Sequence, residues 1–172
     1  MGSGKKEGAL ISIIVAVDNN NAIGRGGDQL FYIPDDLRRF RELTTGHSIV
    51  MGRKTFDALP KGALPNRRNI VVSRKKNLIL KDCIICHSLQ AAFGLCNSEE
   101  EVFVIGGGEI YKQAMPIADK LYVTKVDYSA ENADTFFPEI SASDWQKISE
   151  EKHLADERNK YNYKFTTYIR IS

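Results

Sequence analysis

Apolar, β-branched runs recur along the chain with polar, helix-compatible stretches between them: LISIIVAV (10–17), SIVMG (48–52), NIVVS (69–73), CIICH (83–87), VFVIG (102–106) and KLYVTKVD (120–127). Runs that do not alternate predict strands covered on both faces, as in a mostly parallel sheet. The stretches between them predict helices over about 35–45, 53–58, 88–96 and 109–115, which gives an α/β order. The end of the chain differs. YNYKFTTYIRIS (161–172) alternates in the manner of a half-exposed antiparallel strand, and DWQKISEEKHL before it is a candidate partner. The expected fold is therefore a single-domain α/β structure, a mixed, mostly parallel sheet flanked by helices with an antiparallel C-terminal strand. No Pro/Gly/Ser-rich linker divides it.

Composition narrows the partners. A chain of 172 residues, 42% hydrophobic and 27% charged, can bury roughly 70% of the surface its unfolded form exposes. With 24 basic and 22 acidic residues the net charge is +2, so neither nucleic acid nor a membrane surface is expected as a partner. Three irregularly spaced cysteines argue against a secreted disulfide framework and for a reducing, cytoplasmic setting. MGSGKKEG followed by ALISIIVAV has the outline of a signal peptide. The apolar run, however, ends in DNNN without a small-residue cleavage site and is too short to span a bilayer, so it reads as a buried first strand. Residues 1–8 are expected to be a flexible tail and 9–172 the domain.

Candidate chemistry begins at YIPDDLRRF (32–40). Pro34 suits a helix's first turn, and residues three and four apart then share a face. Asp35 falls beside Arg38, Arg39 and Glu42, a solvated face, whereas Asp36 falls beside Phe40 and Leu43 at the edge of the apolar stripe. A carboxylate placed there is costly unless paired or functional, and burial should raise its pKa. A plain helix cap is the alternative for Asp36. VFVIGGGEIYKQ reads as a strand, three glycines and a helix, and SIVMGRKTF as a second strand running into a helix start with Arg53, Lys54 and Thr55. Either could be a tight turn. Together they suggest a polyanionic ligand, such as a dinucleotide, across the carboxyl edge of the sheet. An acid in an apolar pocket beside a dinucleotide suggests reduction with protonation. CIICH matches a haem-attachment pattern, but in a strand Cys83 and Cys86 point to opposite faces, and no metal or haem site is expected. Trp145, His47 and His153 read as structural or surface residues.

NAIG (21–24), IPDDLRRF (33–40), VMGRKTFDALP (50–60), LPNRRNIVVSR (64–74), VIGGGEIY (104–111), LYVTKVD (121–127) and DTFFP (134–138), in this order and spacing, resemble dihydrofolate reductase of the bacterial chromosomal type. The resemblance covers residues 9 to 171. It implies an eight-stranded mixed sheet, a monomer, NADPH as cofactor, antifolates as inhibitors, and reduction of 7,8-dihydrofolate to tetrahydrofolate for one-carbon metabolism. Another pterin or pyrimidine reductase of the same fold is the alternative. Carried onto this sequence, Asp36 is the ionisable group that binds the pterin, supported by Thr124, while Asp35 is a bystander. Ile14, Val15, Phe31, Leu37, Phe40, Leu59, Leu64, Ile105 and Tyr111 line the substrate site, and Arg67 grips the substrate's α-carboxylate. Ala16, Ile23, Gly24, Gly52, Arg53, Lys54, Thr55, Val72, Ser73, Arg74, Ile105, Gly106, Gly107, Gly108, Glu109, Ile110, Tyr111 and Gln113 match cofactor-binding positions, with a cis peptide expected at Gly106-Gly107. One stretch and one further position depart from the family pattern. Gln29, Leu30 and Phe31 stand where Leu-Pro-Trp is common, with Tyr32 a possible substitute for the indole, and Glu109 stands where a basic residue is frequent.

Overall fold

The structure, a computed structural model, describes residues 8–26 and 28–171; most of the expected N-terminal tail, residues 1–7, lies outside them. Eight strands form the main sheet: β1 (Leu10–Val17), β4 (Ser48–Gly52), β5 (Arg68–Val72), β6 (Cys83–Cys86), β7 (Glu101–Gly106), β8 (Lys120–Val126), β10 (Trp145–His153) and β11 (Tyr163–Arg170). Their order is β10-β11-β8-β1-β7-β4-β5-β6. Every pairing from β8 to β6 is parallel, whereas β11 runs antiparallel to β8 and β10 antiparallel to β11. The unalternating runs make the parallel part and the alternating tail makes the antiparallel edge, as the pattern predicts. A small second sheet, β3-β2-β9, joins β2 (Ala22–Arg25), β3 (Asp28–Gln29) and β9 (Thr135–Phe136). These strands are too short to carry a periodic signal and are absent from the sequence reading.

Helices α1 (Pro34–Thr44), α2 (Arg53–Asp57), α3 (Leu89–Gly94) and α4 (Gly108–Ala114) connect the parallel strands. Ile11, Ile13, Val15 and Val17 of β1 pack with Leu89 and Ala92 of α3 and with Ile110, Tyr111 and Ala114 of α4 in the larger core. On the opposite face, Ile49, Met51, Val71, Phe103 and Tyr122 form a second core, against which Ile14, Leu43, Phe56, Leu59, Leu64 and Ile105 pack. Crossovers that step outward from β1 thus lie on one face and those that return lie on the other, as right-handed connections require. The chain leaves β1 in one direction and β7 in the other, so the sheet has its switch point between them. In open α/β sheets ligands bind at such a point. Among the described residues no helix is long and apolar enough to cross a membrane.

Candidate active site

The ladder between β1 and β7 ends at the Ile13–Val104 pair. Beyond it the buried Tyr111 hydroxyl lies 2.8 Å from the Ile14 carbonyl and 2.9 Å from the Ile105 carbonyl, able to donate to one at a time. The two strand ends are thereby held apart, with backbone facing the opening. Asp36 reaches the same opening from α1 and accepts a 2.5 Å hydrogen bond from the Thr124 hydroxyl on β8. Burial raises the Asp36 pKa above the ordinary carboxylate value, opposed by the Thr124 hydrogen bond and the Arg39 charge. The cap alternative fails because Ile33 is the N-cap of α1 and Asp36 bonds Thr124 instead. Arg39, placed by helical spacing on the solvated face beside Asp35, also acts on Asp36, and its guanidinium lies 4.3 Å from the Phe165 ring centre.

Along the same face, Leu59, Leu64, Ile14 and Ile105 border the second core, with Leu37 45% exposed at the mouth. Arg67 donates to the Pro65 carbonyl at 2.9 Å and to the Thr44 hydroxyl at 3.2 Å, with its guanidinium 6.0 Å from the Phe40 ring centre. Burial, then the Arg41 charge, lowers its pKa. No carboxylate among the described residues pairs with it, whereas Arg68 beside it pairs with Glu99 at 3.2 Å. A half-buried guanidinium with only neutral partners is suited to an anion brought by a ligand.

The third part of the site is the carboxyl edge of β4 and β7, where Met51 pairs with Gly106. The Gly106-Gly107 peptide is cis, and Gly106 has φ +126°. A Cβ on Gly106 would stand 3.3 Å from the Tyr111 hydroxyl and 3.4 Å from Thr55 Oγ1, and one on Gly107 would stand 3.3 Å from Thr55 Oγ1. Glycine therefore keeps bare backbone open at this edge, a surface a pyrophosphate can approach. Around it stand Ser73 and Arg74, the latter exposed, while Arg53 is tied by Nε to Asp57 at 2.9 Å. Glu109 turns along α4, accepting from Gln113 at 3.3 Å.

The dihydrofolate reductase family model matches residues 10–170. The chain belongs to that family. It is 46% identical over 161 residues to the dihydrofolate reductase of Staphylococcus haemolyticus, covering 94% of this chain and 96% of the relative. It is 42% identical over 159 residues to that of Bacillus subtilis, covering 92% and 94%. A solved structure of dihydrofolate reductase from Enterococcus faecalis, complexed with NADP(H) and RAB-propyl, is similar with a TM-score of 0.87 and 34% identity over 95% of this chain and 97% of that one.

Within this family frame, the structure corrects the expectations for Asp35, Val15, Phe31 and Tyr32 and places Ile23, Gly24 and the two β6 cysteines. Asp35 is no solvated bystander: its side chain is 20% exposed and accepts from the Tyr163 hydroxyl at 2.6 Å and from Asn159 Nδ2 at 3.2 Å. Helical periodicity does not reveal that the chain's last hairpin covers this flank. Val15 turns its side chain into the opposite core, so only its main chain can border the cleft. Phe31 packs edge-on against Tyr128 and Tyr161, with centroids 5.9 and 6.1 Å away, on the flank of the β8–β11 pair. Tyr32 is 74% exposed and does not replace an indole inside the pocket. Ile23 and Gly24 are held by the small sheet, where Gly24 pairs with Gln29 and Thr135. Cys83 and Cys86 lie on β6, paired to Asn69 and Val72, with thiol pKa values raised by burial.

Proposed function

We propose that this chain catalyses the NADPH-dependent reduction of 7,8-dihydrofolate to 5,6,7,8-tetrahydrofolate in the cleft between α1 and the β1–β7 opening, acting as a cytoplasmic monomer that supplies one-carbon metabolism. The observation that carries the reading is a largely buried carboxyl, Asp36, bonded to Thr124 beside a glycine edge fit for a dinucleotide. Gly52 to Thr55, Ser73, Arg74 and Gly106 to Gln113 would hold NADPH, which when bound would supply the hydride for C6 of the pterin. Asp36 as a carboxylate accepts hydrogen bonds from the pterin's 2-amino group and N3, and Thr124 fixes its orientation. That edge of the pterin is remote from N5. Water therefore delivers the N5 proton, while the negative charge of Asp36 favours the protonated ring. The carbonyls of Ile14 and Ile105 offer acceptors to the pterin edge, and Arg67 takes the α-carboxylate of the glutamate tail through its planar fork.

A pterin reductase acting without the tail is the rival reading, and Arg67 disfavours it. Loss of NADPH absorbance on adding dihydrofolate, compared with a dihydropterin lacking the glutamate, separates the two. Turnover with a much lower KM for dihydrofolate is expected. Equal kcat/KM for both would favour the rival, and no oxidation with either would contradict both.

A further inference from the structure

Helix α1 begins without a cap of its own. Its N-cap residue is Ile33, which offers no side-chain acceptor, and Pro34 follows. The amides of Asp36 and Leu37 reach the Ile33 carbonyl at 3.0 and 3.1 Å, which leaves the Asp35 N–H among the first-turn donors that need a partner. That donor meets Asn159 Oδ1 at 3.2 Å, from 124 residues further along the chain. The same amide returns the bond, Asn159 Nδ2 donating to Asp35 Oδ2 at 3.2 Å. Asn159 is 1% exposed and is itself fixed by Asp156, whose Oδ1 accepts from the Asn159 N–H at 2.7 Å and from Nδ2 at 3.1 Å. Tyr163 on β11 adds its hydroxyl to Asp35 at 2.6 Å, and its ring stacks on His153 with centroids 5.0 Å apart.

We propose that Asn159 caps α1 from the β10–β11 connection and, with Tyr163, clamps Asp35, so that both are positioning residues for Asp36. The proposal rests on the reading of Asp36 given above. Two consecutive carboxylates fasten the first turn of α1 to two neighbouring strands, Asp36 to Thr124 on β8 and Asp35 to Tyr163 on β11. A turn held at both points cannot rotate about its axis without breaking one of them. Misplacing a catalytic group by 1 Å costs on the order of a hundredfold. The charged and titratable groups facing this turn are Arg38, Arg39 and Glu42 of α1, Glu151 and His153 of β10, Asp156 of the connection, and Tyr111 of α4.

The test compares Tyr163→Phe, which keeps the stacked ring, and Asn159→Ala with the parent enzyme. The readouts are KM and kcat for dihydrofolate from acid to alkaline pH, Kd for NADPH, and thermal unfolding, all repeated in an Asp36→Asn background. Loosening the turn admits water to Asp36 and removes part of the burial that raises its pKa. Each variant should lose about 5- to 20-fold in kcat/KM for dihydrofolate, with the midpoint of the pH profile shifted to lower pH. NADPH binding should stay within about twofold, and in the Asp36→Asn background the further loss should be under about twofold, because coupled residues do not add. Should Asn159→Ala not fold, Tyr163→Phe alone decides. If Asp36→Asn loses most turnover while the clamp variants keep the parent kcat/KM and pH midpoint, even with a lower Tm, the clamp is structural and the proposal falls. If Asp36→Asn itself keeps full activity, the reading of Asp36 falls, and this proposal with it.

Discussion

At the scale of residues, the site depends on which polar group is left without a protein partner. Arg53 is engaged by Asp57 at 2.9 Å, whereas Arg74 is exposed with no carboxylate bonded to it among the described residues. Arg74 is thus the freer cation of the two, and the one proposed to meet the 2′-phosphate of NADPH. A charge-assisted contact is worth roughly 1.5 to 3 kcal/mol, about tenfold to a hundredfold in affinity. Arg74→Ala should lower the NADPH-over-NADH ratio of kcat/KM by about that factor and Arg53→Ala by less, and Glu109→Gln should raise it slightly. An unchanged ratio in Arg74→Ala would remove that residue from the phosphate site. Arg67→Lys keeps the charge but loses the fork, so the KM for dihydrofolate should rise about tenfold or more while NADPH binding stays constant. An equal fall with a tail-less dihydropterin would make Arg67 structural. The burial of Asp36 was legible from its place on the apolar stripe. The grip on Asp35 was not, because Asn159 and Tyr163 come from a distant hairpin and leave no trace in local spacing.

At the scale of elements, the unbroken apolar runs specified the parallel strands, and the alternating tail specified the antiparallel edge, because each carries a period long enough to read. The two-residue strands β3 and β9 carry none, yet β9 joins β2 to the start of α4. The contact is direct: a Cβ on Gly108, the first residue of α4, would stand 2.6 Å from Thr135 Cγ2 on β9, and Thr135 pairs with Gly24 on β2. Gly108→Ala should therefore destabilise the protein by about 1 to 3 kcal/mol and weaken NADPH binding. Thr135→Ser removes the obstructing methyl and should restore much of both in the double variant. Urea unfolding and cofactor titration of the four proteins measure the coupling; strictly additive losses would show that the two residues do not meet.

At the scale of the whole molecule, a functional carboxyl buried against its preference must weaken the fold that holds it. Because burial raises the pKa of Asp36 in the folded state, the folded protein binds this proton more readily than the unfolded chain. Stability is therefore lost as pH rises from the ordinary carboxylate range through the raised folded value. Asp36→Asn should unfold at a higher urea concentration than the parent at neutral pH, with the advantage vanishing below the ordinary carboxylate pKa; an equal or lower midpoint at neutral pH would mean that Thr124 and Arg39 outweigh the burial. The proposed chemistry turns on the same carboxyl, and it is tested by kcat for NADPH-dependent dihydrofolate reduction by the parent and Asp36→Asn enzymes across pH. Asp36→Asn should bind NADPH normally, lose most turnover at neutral pH, and recover part of it on acidification as substrate already protonated in solution takes over. An Asp36→Asn enzyme with the parent's turnover and pH profile would contradict the proposed chemistry.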